Sequence, residues 1–278
     1  MKITSTAKLS LEDINDLIAE NNVYNITIED KEHYPYNHSY DIFEFLHIKR
    51  AIVDFLKDCP YRDPHNPNSE KEIFAYIYTK LALTVEYDEF GSEIIQNTTQ
   101  PFKTLYARDY LDDVANLKST MILKSALCSG FAETLRNLLA ERGIEAKYIK
   151  GSARPKADTP HTPSHAWNQV KLDGEWFNCD VTQDRKFIKE GLIAPRFLQS
   201  NAHFSNYMTY PVYDRAFIEP ATRTISNNEQ SFLINKFHSQ ILKEITPPTN
   251  PKDAKKPGFF KSILTKLHII NSSQPGDK

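Results

Sequence analysis

Two runs of alternating side chains, Ser164–Leu172 and residues 175–182, flank the dipeptide Asp173-Gly174. Period-two alternation is the signature of strands, whose successive side chains point to opposite faces. Asp-Gly between two such runs predicts a two-residue hairpin, because that turn needs positive φ at its centre. With Asp173 and Gly174 at the turn, Leu172 faces Glu175; carried outward, the register sets Trp167 opposite Asp180 and His165 opposite Thr182. One face then collects His165, Trp167, Gln169, Trp176, Asn178 and Asp180. The other collects Ala166, Val170, Leu172, Phe177, Cys179 and Val181, and reads as core. His165 and Asp180 are diagonal neighbours on the first face, roughly 7 Å apart at the backbone, so an imidazole and a carboxylate can meet.

Helical periodicity appears elsewhere. Ser10 reads as the N-cap of a short helix ending near residue 20, and residues 24–28 read as a strand. Residues 39–58 predict an amphipathic helix with Ile42, Phe43, Leu46, Ile52, Val53, Phe55 and Leu56 on a broad apolar face. Residues 60–68 carry three prolines and form a loop, after which Ser69-x-x-Glu72 reads as a capping box opening a helix to about residue 83. A further amphipathic helix covers residues 131–140. This divides the chain into a helical N-terminal subdomain, 1–68, a catalytic domain, 69–246, and a Pro- and Lys-rich linker with a C-terminal helix, 247–278. The first has too few core positions to stand alone and is expected to pack on the second; a cap gating substrate or partner is the functional alternative. In the last, Phe259, Phe260, Ile263, Leu264 and Leu267 share one helical face with Lys261 and Lys266 opposite. Helix 259–270 could lie on a membrane, in a partner's groove or against its own domain.

Composition narrows the function. A chain of 278 residues with 40% hydrophobic content can bury a core of ordinary size. A net charge of −2 and a pI near 6.5 argue against a general nucleic-acid binder. Three widely spaced cysteines form no disulfide framework, which points to a reducing compartment. No apolar stretch follows Met1, and no run approaches the roughly 18 apolar residues of a membrane span. A cytoplasmic protein is therefore expected, with export by a signal-peptide-independent route, as an effector, the alternative. His161-x-x-x-His165 has a metal-binding spacing for a helix, but Pro160 and Pro163 forbid the helix. Neither a metal nor a cofactor is expected.

Among the cysteines, Cys128 stands apart, because Ser129, Gly130 and then a helix follow it. A thiol at a helix N-terminus lies near unpaired N–H groups and the positive end of the macrodipole, both of which favour thiolate. Cys179 falls on the apolar face and Cys59 near a helix end, and each reads as a small buried hydrophobe. Cys128, His165 and Asp180 occur in the order of a thiol nucleophile, its general base and the carboxylate that orients the base.

Residues 127–132 (Leu-Cys-Ser-Gly-Phe-Ala), with 138–148 after them, resemble the nucleophile helix and following strand of the transglutaminase-like superfamily. Residues 164–168 (Ser-His-Ala-Trp-Asn) and 176–182 (Trp-Phe-Asn-Cys-Asp-Val-Thr) resemble its His and Asp strands, and residues 196–201 the segment that follows in bacterial members. The resemblance spans about residues 70–213. It implies an α+β fold with a papain-like core, a nucleophile helix packed on an antiparallel sheet, and it gives Cys128, His165 and Asp180 the roles above. The implied activity is acyl transfer through an acyl-thioester on a protein or peptide substrate. In the oxyanion site the Cys128 N–H is the first donor and Tyr87 a candidate second; Trp167 and Trp176 either wall the acyl site or cover the sheet. Ser129 stands where animal cross-linking enzymes carry a Trp, and no calcium loop is visible. Hydrolysis, as a protease or deamidase, is therefore expected over cross-linking. A protein-glutamine transglutaminase, or a non-catalytic binding protein on the same fold, stays open.

Overall fold

The computed structural model describes residues 1–21, 25–29, 37–97, 115–153, 164–209 and 218–246. In chain order the elements are β1 (Lys2–Ile3), α1 (Leu11–Ala19), β2 (Asn25–Glu29), β3 (Asn37–Asp41), α2 (Ile42–Phe55), α3 (Ser69–Thr84), β4 (Glu86–Tyr87), α4 (Glu89–Asn97), β5 (Ser125–Ala126) and α5 (Cys128–Ala140). Then come β6 (Ala146–Ala153), β7 (Ser164–Leu172), β8 (Glu175–Cys179), α6 (Val181–Lys189), α7 (Asn201–Phe204), β9 (Met208–Thr209) and α8 (Asn227–Ile245). The chain divides into two compact units, 1–239 and 240–278. The described part of the second is the last turns of α8, and the C-terminal helix expected at 259–270 lies outside the described residues.

The architecture is α+β, and its centre is an antiparallel sheet in the order β8-β7-β6-β9. Asp173 and Gly174 have φ of 52° and 83°, the conformation that the Asp-Gly turn requires. The β7–β8 register runs from Leu172↔Glu175 to Asn168↔Cys179, as the turn dictates. There it stops. Asp180 leaves the strand at ψ 90° and its carboxylate accepts from the Gln183 N–H at 3.2 Å, capping α6. Val181 and Thr182 are therefore helical, and the Trp167–Asp180 and His165–Thr182 pairings expected of a longer strand do not form. The free edge of β8 pairs instead with Gln199, whose N–H and C=O exchange hydrogen bonds with Asn178 at 2.8 Å.

Both faces of β7 are covered. Helix α5 lies on the Ala166 side, where Ala132, Tyr148 and Ala166 cluster and the Asn168 amide donates to the Ala132 carbonyl at 2.9 Å. On the Trp167 side, Trp167 packs with Ile149, Phe204 and Met208. Burying an aromatic of this size removes enough apolar area to contribute roughly 2–3 kcal/mol. Behind these layers runs α3, almost wholly buried, with Phe74 and Tyr78 against Phe197 at 5.2 and 5.1 Å between ring centroids.

Two N-terminal expectations shift. Residues 39–41 belong to β3, and α2 starts at Ile42 because the Asp41 carboxylate accepts from the N–H groups of Phe43 and Glu44 at 2.8 and 2.9 Å. Phe43 and Val53, placed by periodicity on the apolar face, are exposed. Ser69 forms no capping box; its hydroxyl donates to the Asp63 carbonyl at 3.1 Å, and the cap position of α3 is Asn68. The Ser10–Asp13 capping box of α1 is complete.

Candidate active site

Short parallel pairing of β4 with β5, Glu86 with Ser125 and Tyr87 with Ala126, delivers the chain into α5. Cys128 is the first residue of that helix, and Leu127 at the cap position offers no side-chain acceptor to the first turn. The N-terminal N–H groups and the macrodipole thus face the thiol without a competing cap. Cys128 is half-buried and packs on the Ala132–Tyr148–Ala166 cluster.

His165, 6% exposed, stands at the start of β7, and Asp180, 1% exposed, at the end of β8. His165 Nε2 lies 2.7 Å from Asp180 Oδ2. The other Asp180 oxygen carries the α6 cap. With Nε2 engaged, Nδ1 is the ring nitrogen left for the Cys128 sulfur, which is hydrogen-bonded to the imidazole and also accepts from the Ala166 N–H. Trp167 stacks behind His165, with ring centroids 6.3 Å apart and planes 20° apart.

The electrostatics favour an ion pair. Burial alone would push the Cys128 thiol up, but the His165 charge, its hydrogen bond and the Ala166 N–H outweigh it and hold the thiol below its ordinary range. Burial alone would lower His165; the charges of Asp180 and Cys128 and the hydrogen bonds to both raise it to about 10. The arrangement therefore favours a thiolate beside an imidazolium over the neutral pair, oriented by a carboxylate. Such a group can attack a carbonyl carbon and protonate the leaving amine.

Tyr87 also lies near the sulfur. Burial chiefly, and then the charge of Cys128, push its phenol up. Its hydroxyl donates to Ser92 at 3.4 Å, and the Arg185 guanidinium sits 5.1 Å from its ring centroid. The two tryptophans are placed differently. Trp167 is sealed behind His165, with Phe204 at 5.8 Å. Trp176 pairs with Lys171 near the hairpin end, roughly 13 Å along β8 from Asp180, under the ammonium groups of Lys147 and Lys171. Cys59 and Cys179 are buried, and burial pushes both thiols up.

Two participants gave no separate signal in the sequence. The Ala166 N–H reaches the sulfur only because β7 passes the helix N-terminus. Asp184, four residues after Asp180, is fully buried and accepts from the Tyr78 hydroxyl at 2.8 Å and from the Arg196 N–H at 3.1 Å. Burial above all raises its carboxyl to about 8. The i, i+4 spacing of Asp180 and Asp184 was the available hint. A cleft of about 460 Å³ lies along α6, bordered by Tyr87, Glu89, Gln183 and Arg185 among others; none of Cys128, His165 and Asp180 lines it. Among the described residues no group of three or more His, Cys, Asp or Glu side chains gathers as a metal site, and no helix is long and apolar enough to cross a membrane. His161 lies outside the described residues.

Residues 62–181, which include Cys128, His165 and Asp180, match the family model of the transglutaminase-like superfamily. Two solved structures are similar to the chain. One is a proposed cysteine protease from Cytophaga hutchinsonii, at 17% identity over 49% of this chain and 38% of that one, with a TM-score of 0.30. The other is a TGase, at 16% identity over 63% of this chain and 48% of that one, with a TM-score of 0.33. The chain thus spans less than half the length of either. No curated protein matches it significantly.

Proposed function

Since residues 62–181 belong to the transglutaminase-like superfamily, we infer that the chain is a cysteine-dependent acyl-transfer enzyme that acts on peptide or glutamine amide bonds. One observation carries this reading: a thiol at a helix N-terminus, hydrogen-bonded to an imidazole whose far nitrogen is 2.7 Å from a buried carboxylate. The Cys128 thiolate attacks the carbonyl carbon, forming a C–S bond as the carbonyl electrons move to oxygen. The Cys128 N–H and the Tyr87 hydroxyl stabilise that oxyanion. His165 gives its Nδ1 proton to the leaving nitrogen, the C–N bond breaks, and an acyl-thioester remains. Neutral His165 then takes a proton from water as its oxygen adds to the thioester carbonyl, and the C–S bond breaks, releasing the acid and returning the Cys128 thiolate beside the imidazolium. Asp180 stabilises the charged ring throughout.

Hydrolysis is favoured over cross-linking. Ser129 holds the position at which cross-linking relatives carry a Trp after the nucleophile. The test is incubation with a glutamine-containing peptide, with and without a primary amine, followed by mass spectrometry of Cys128 and of the products. A thioester on Cys128 with ammonia or new peptide termini released is the expected result; amine incorporation would make the chain a transferase. A chain whose Cys128 labels no faster than free cysteine with iodoacetamide, and whose Cys128→Ala variant behaves as wild type, is not this enzyme.

A further inference from the structure

The cleft along α6 contains one side chain that its own surroundings leave incomplete. Arg185, on α6, is 7% exposed and lines the cleft. Its Nη2 donates to Glu89 at 3.2 Å, while its Nε is buried with no hydrogen-bond partner among the described residues. A buried guanidinium normally has every N–H engaged, because each unpaired one costs about 1–3 kcal/mol. Its bond to Glu89 is also replaceable, since the Glu89 side chain is 66% exposed and can swing into water.

The position ties this arginine to the chemistry. Its guanidinium is 5.1 Å from the Tyr87 ring, and Tyr87 pairs with Ala126, two residues before Cys128. On the other side Gln183, which also borders the cleft, donates its N–H to Asp180. A ligand seated on Arg185 therefore lies beside Tyr87, the residue whose phenol feels the charge of Cys128. Guanidinium forks pair best with planar carboxylates, two parallel N–H bonds to two oxygens. The rim residues Lys186 and Glu190 add one charge of each sign and leave Arg185 to set the preference.

We propose that Arg185 is a specificity-determining residue that binds a carboxylate of the acyl donor, displacing Glu89, so that the preferred substrates carry an anionic group close to the reactive carbonyl. The anion comes either from an acidic side chain or from a free chain terminus. This rests on Cys128 being the nucleophile, and the experiment separates the two. Full-length protein is alkylated with N-iodoacetylglycine, which presents a terminal carboxylate, and with N-iodoacetyl-glutamic acid α-amide, which presents a side-chain carboxylate. Each is compared with its neutral amide analogue, and kinact/KI is read for loss of iodide to the Cys128 sulfur. Wild type is expected to favour at least one anionic reagent by about tenfold or more, the worth of one charge-assisted bond. The arm with the larger ratio identifies the source of the carboxylate.

The R185Q variant is expected to bring that ratio close to one. E89Q, an exposed substitution that removes the competing carboxylate, is expected to raise it, and this arm stands even if R185Q fails to fold. No anionic preference in wild type, a preference kept by R185Q, or a ratio unmoved by E89Q each overturns the proposal while leaving Cys128 as the nucleophile. Neutral reagents that label Cys128 no faster than free cysteine would overturn that reading, and this proposal with it.

Discussion

His165 is held on both sides, by Asp180 at Nε2 and by the sulfur, and its pH behaviour follows from that. The thiol sits below its ordinary range, so the thiolate extends to lower pH than for a free thiol and is lost as pH falls through the lowered value. The imidazolium is lost as pH rises through about 10. Turnover needs both and is expected to fall on an acidic limb set by the lowered thiol and on a basic limb near 10, the two limbs belonging to the coupled pair. His165→Ala removes the charge that lowers the thiol; burial then governs, and iodoacetamide labelling at pH 7 should slow as turnover disappears. Linkage gives a second reading. A histidine raised in the fold contributes stability that is complete below its ordinary value, 6.5, and gone once pH passes about 10. Chemical denaturation of wild type and His165→Ala across that window should therefore converge as pH rises. Asp180→Asn keeps an oxygen for the Gln183 N–H but no longer fixes the imidazole tautomer, so a fall of roughly 10²–10⁴ in kcat is expected, together with loss of the stability that the Asp180 charge gives the imidazolium. The order Cys128, His165, Asp180 was legible in the chain because each lies in a recognisable local context. Arg185 was not, because its significance comes from Tyr87 and Glu89, about a hundred residues upstream in α3's wake.

At the level of elements, the hairpin was legible to its register, since Asp-Gly turn chemistry fixes which residues face each other. Its end was not. Alternation continues through Val181 and Thr182, but Asp180 is a strong N-cap residue, and capping α6 wins over three more strand pairs. The same competition at Asp41 shortened the helix expected from residue 39. Because of that early exit, α6 begins at the triad and is anchored one turn later by Asp184, whose carboxylate joins Tyr78 of α3 to the Arg196 N–H. Asp184 is therefore expected to position Asp180 by anchoring the first turns of α6. Asp184→Ala leaves the Tyr78 hydroxyl and the Arg196 N–H without an acceptor, and a loss of about 2–4 kcal/mol is expected in urea unfolding. Asp184→Asn keeps an acceptor and should lose less. A carboxyl raised to about 8 in the fold resists ionisation there, so it subtracts stability as pH rises from about 4 to 8. Stability of the Asn variant should be flatter than wild type across that range. If both variants match wild type in stability and in the basic limb of kcat, Asp184 does not position the triad.

Across the first compact unit, residues 1–56 are joined to α5, the helix that starts at Cys128, and to the turn after it by polar bonds. Lys49 is 4% exposed and donates to the Thr6 carbonyl at 2.9 Å and to Glu141, just past α5, at 2.6 Å. The Thr6 N–H donates to Asn137 Oδ1 at 3.0 Å, and Asn137 in turn to the Glu133 carbonyl, both within α5. Further along, Arg142 donates to the Leu56 carbonyl at 2.6 Å. These bonds replace water that both surfaces would otherwise need, so separating the segment exposes polar groups as well as the apolar faces of α1 and α2. A helix held this way should unfold with its N-terminal partner and not before or after it. Lys49→Met removes the only charge that both Thr6 and Glu141 meet through this side chain, at an expected cost of about 2–3 kcal/mol. The loss should appear equally in two signals: hydrogen exchange at the amides of α1 and α2, and protection of Cys128 from alkylation under denaturant. Coincident shifts make residues 1–68 part of the cooperative unit that carries the thiol. Were exchange in α1 and α2 to accelerate while Cys128 stayed protected, the N-terminal segment would be an independent cap, and substrate gating would become its better explanation.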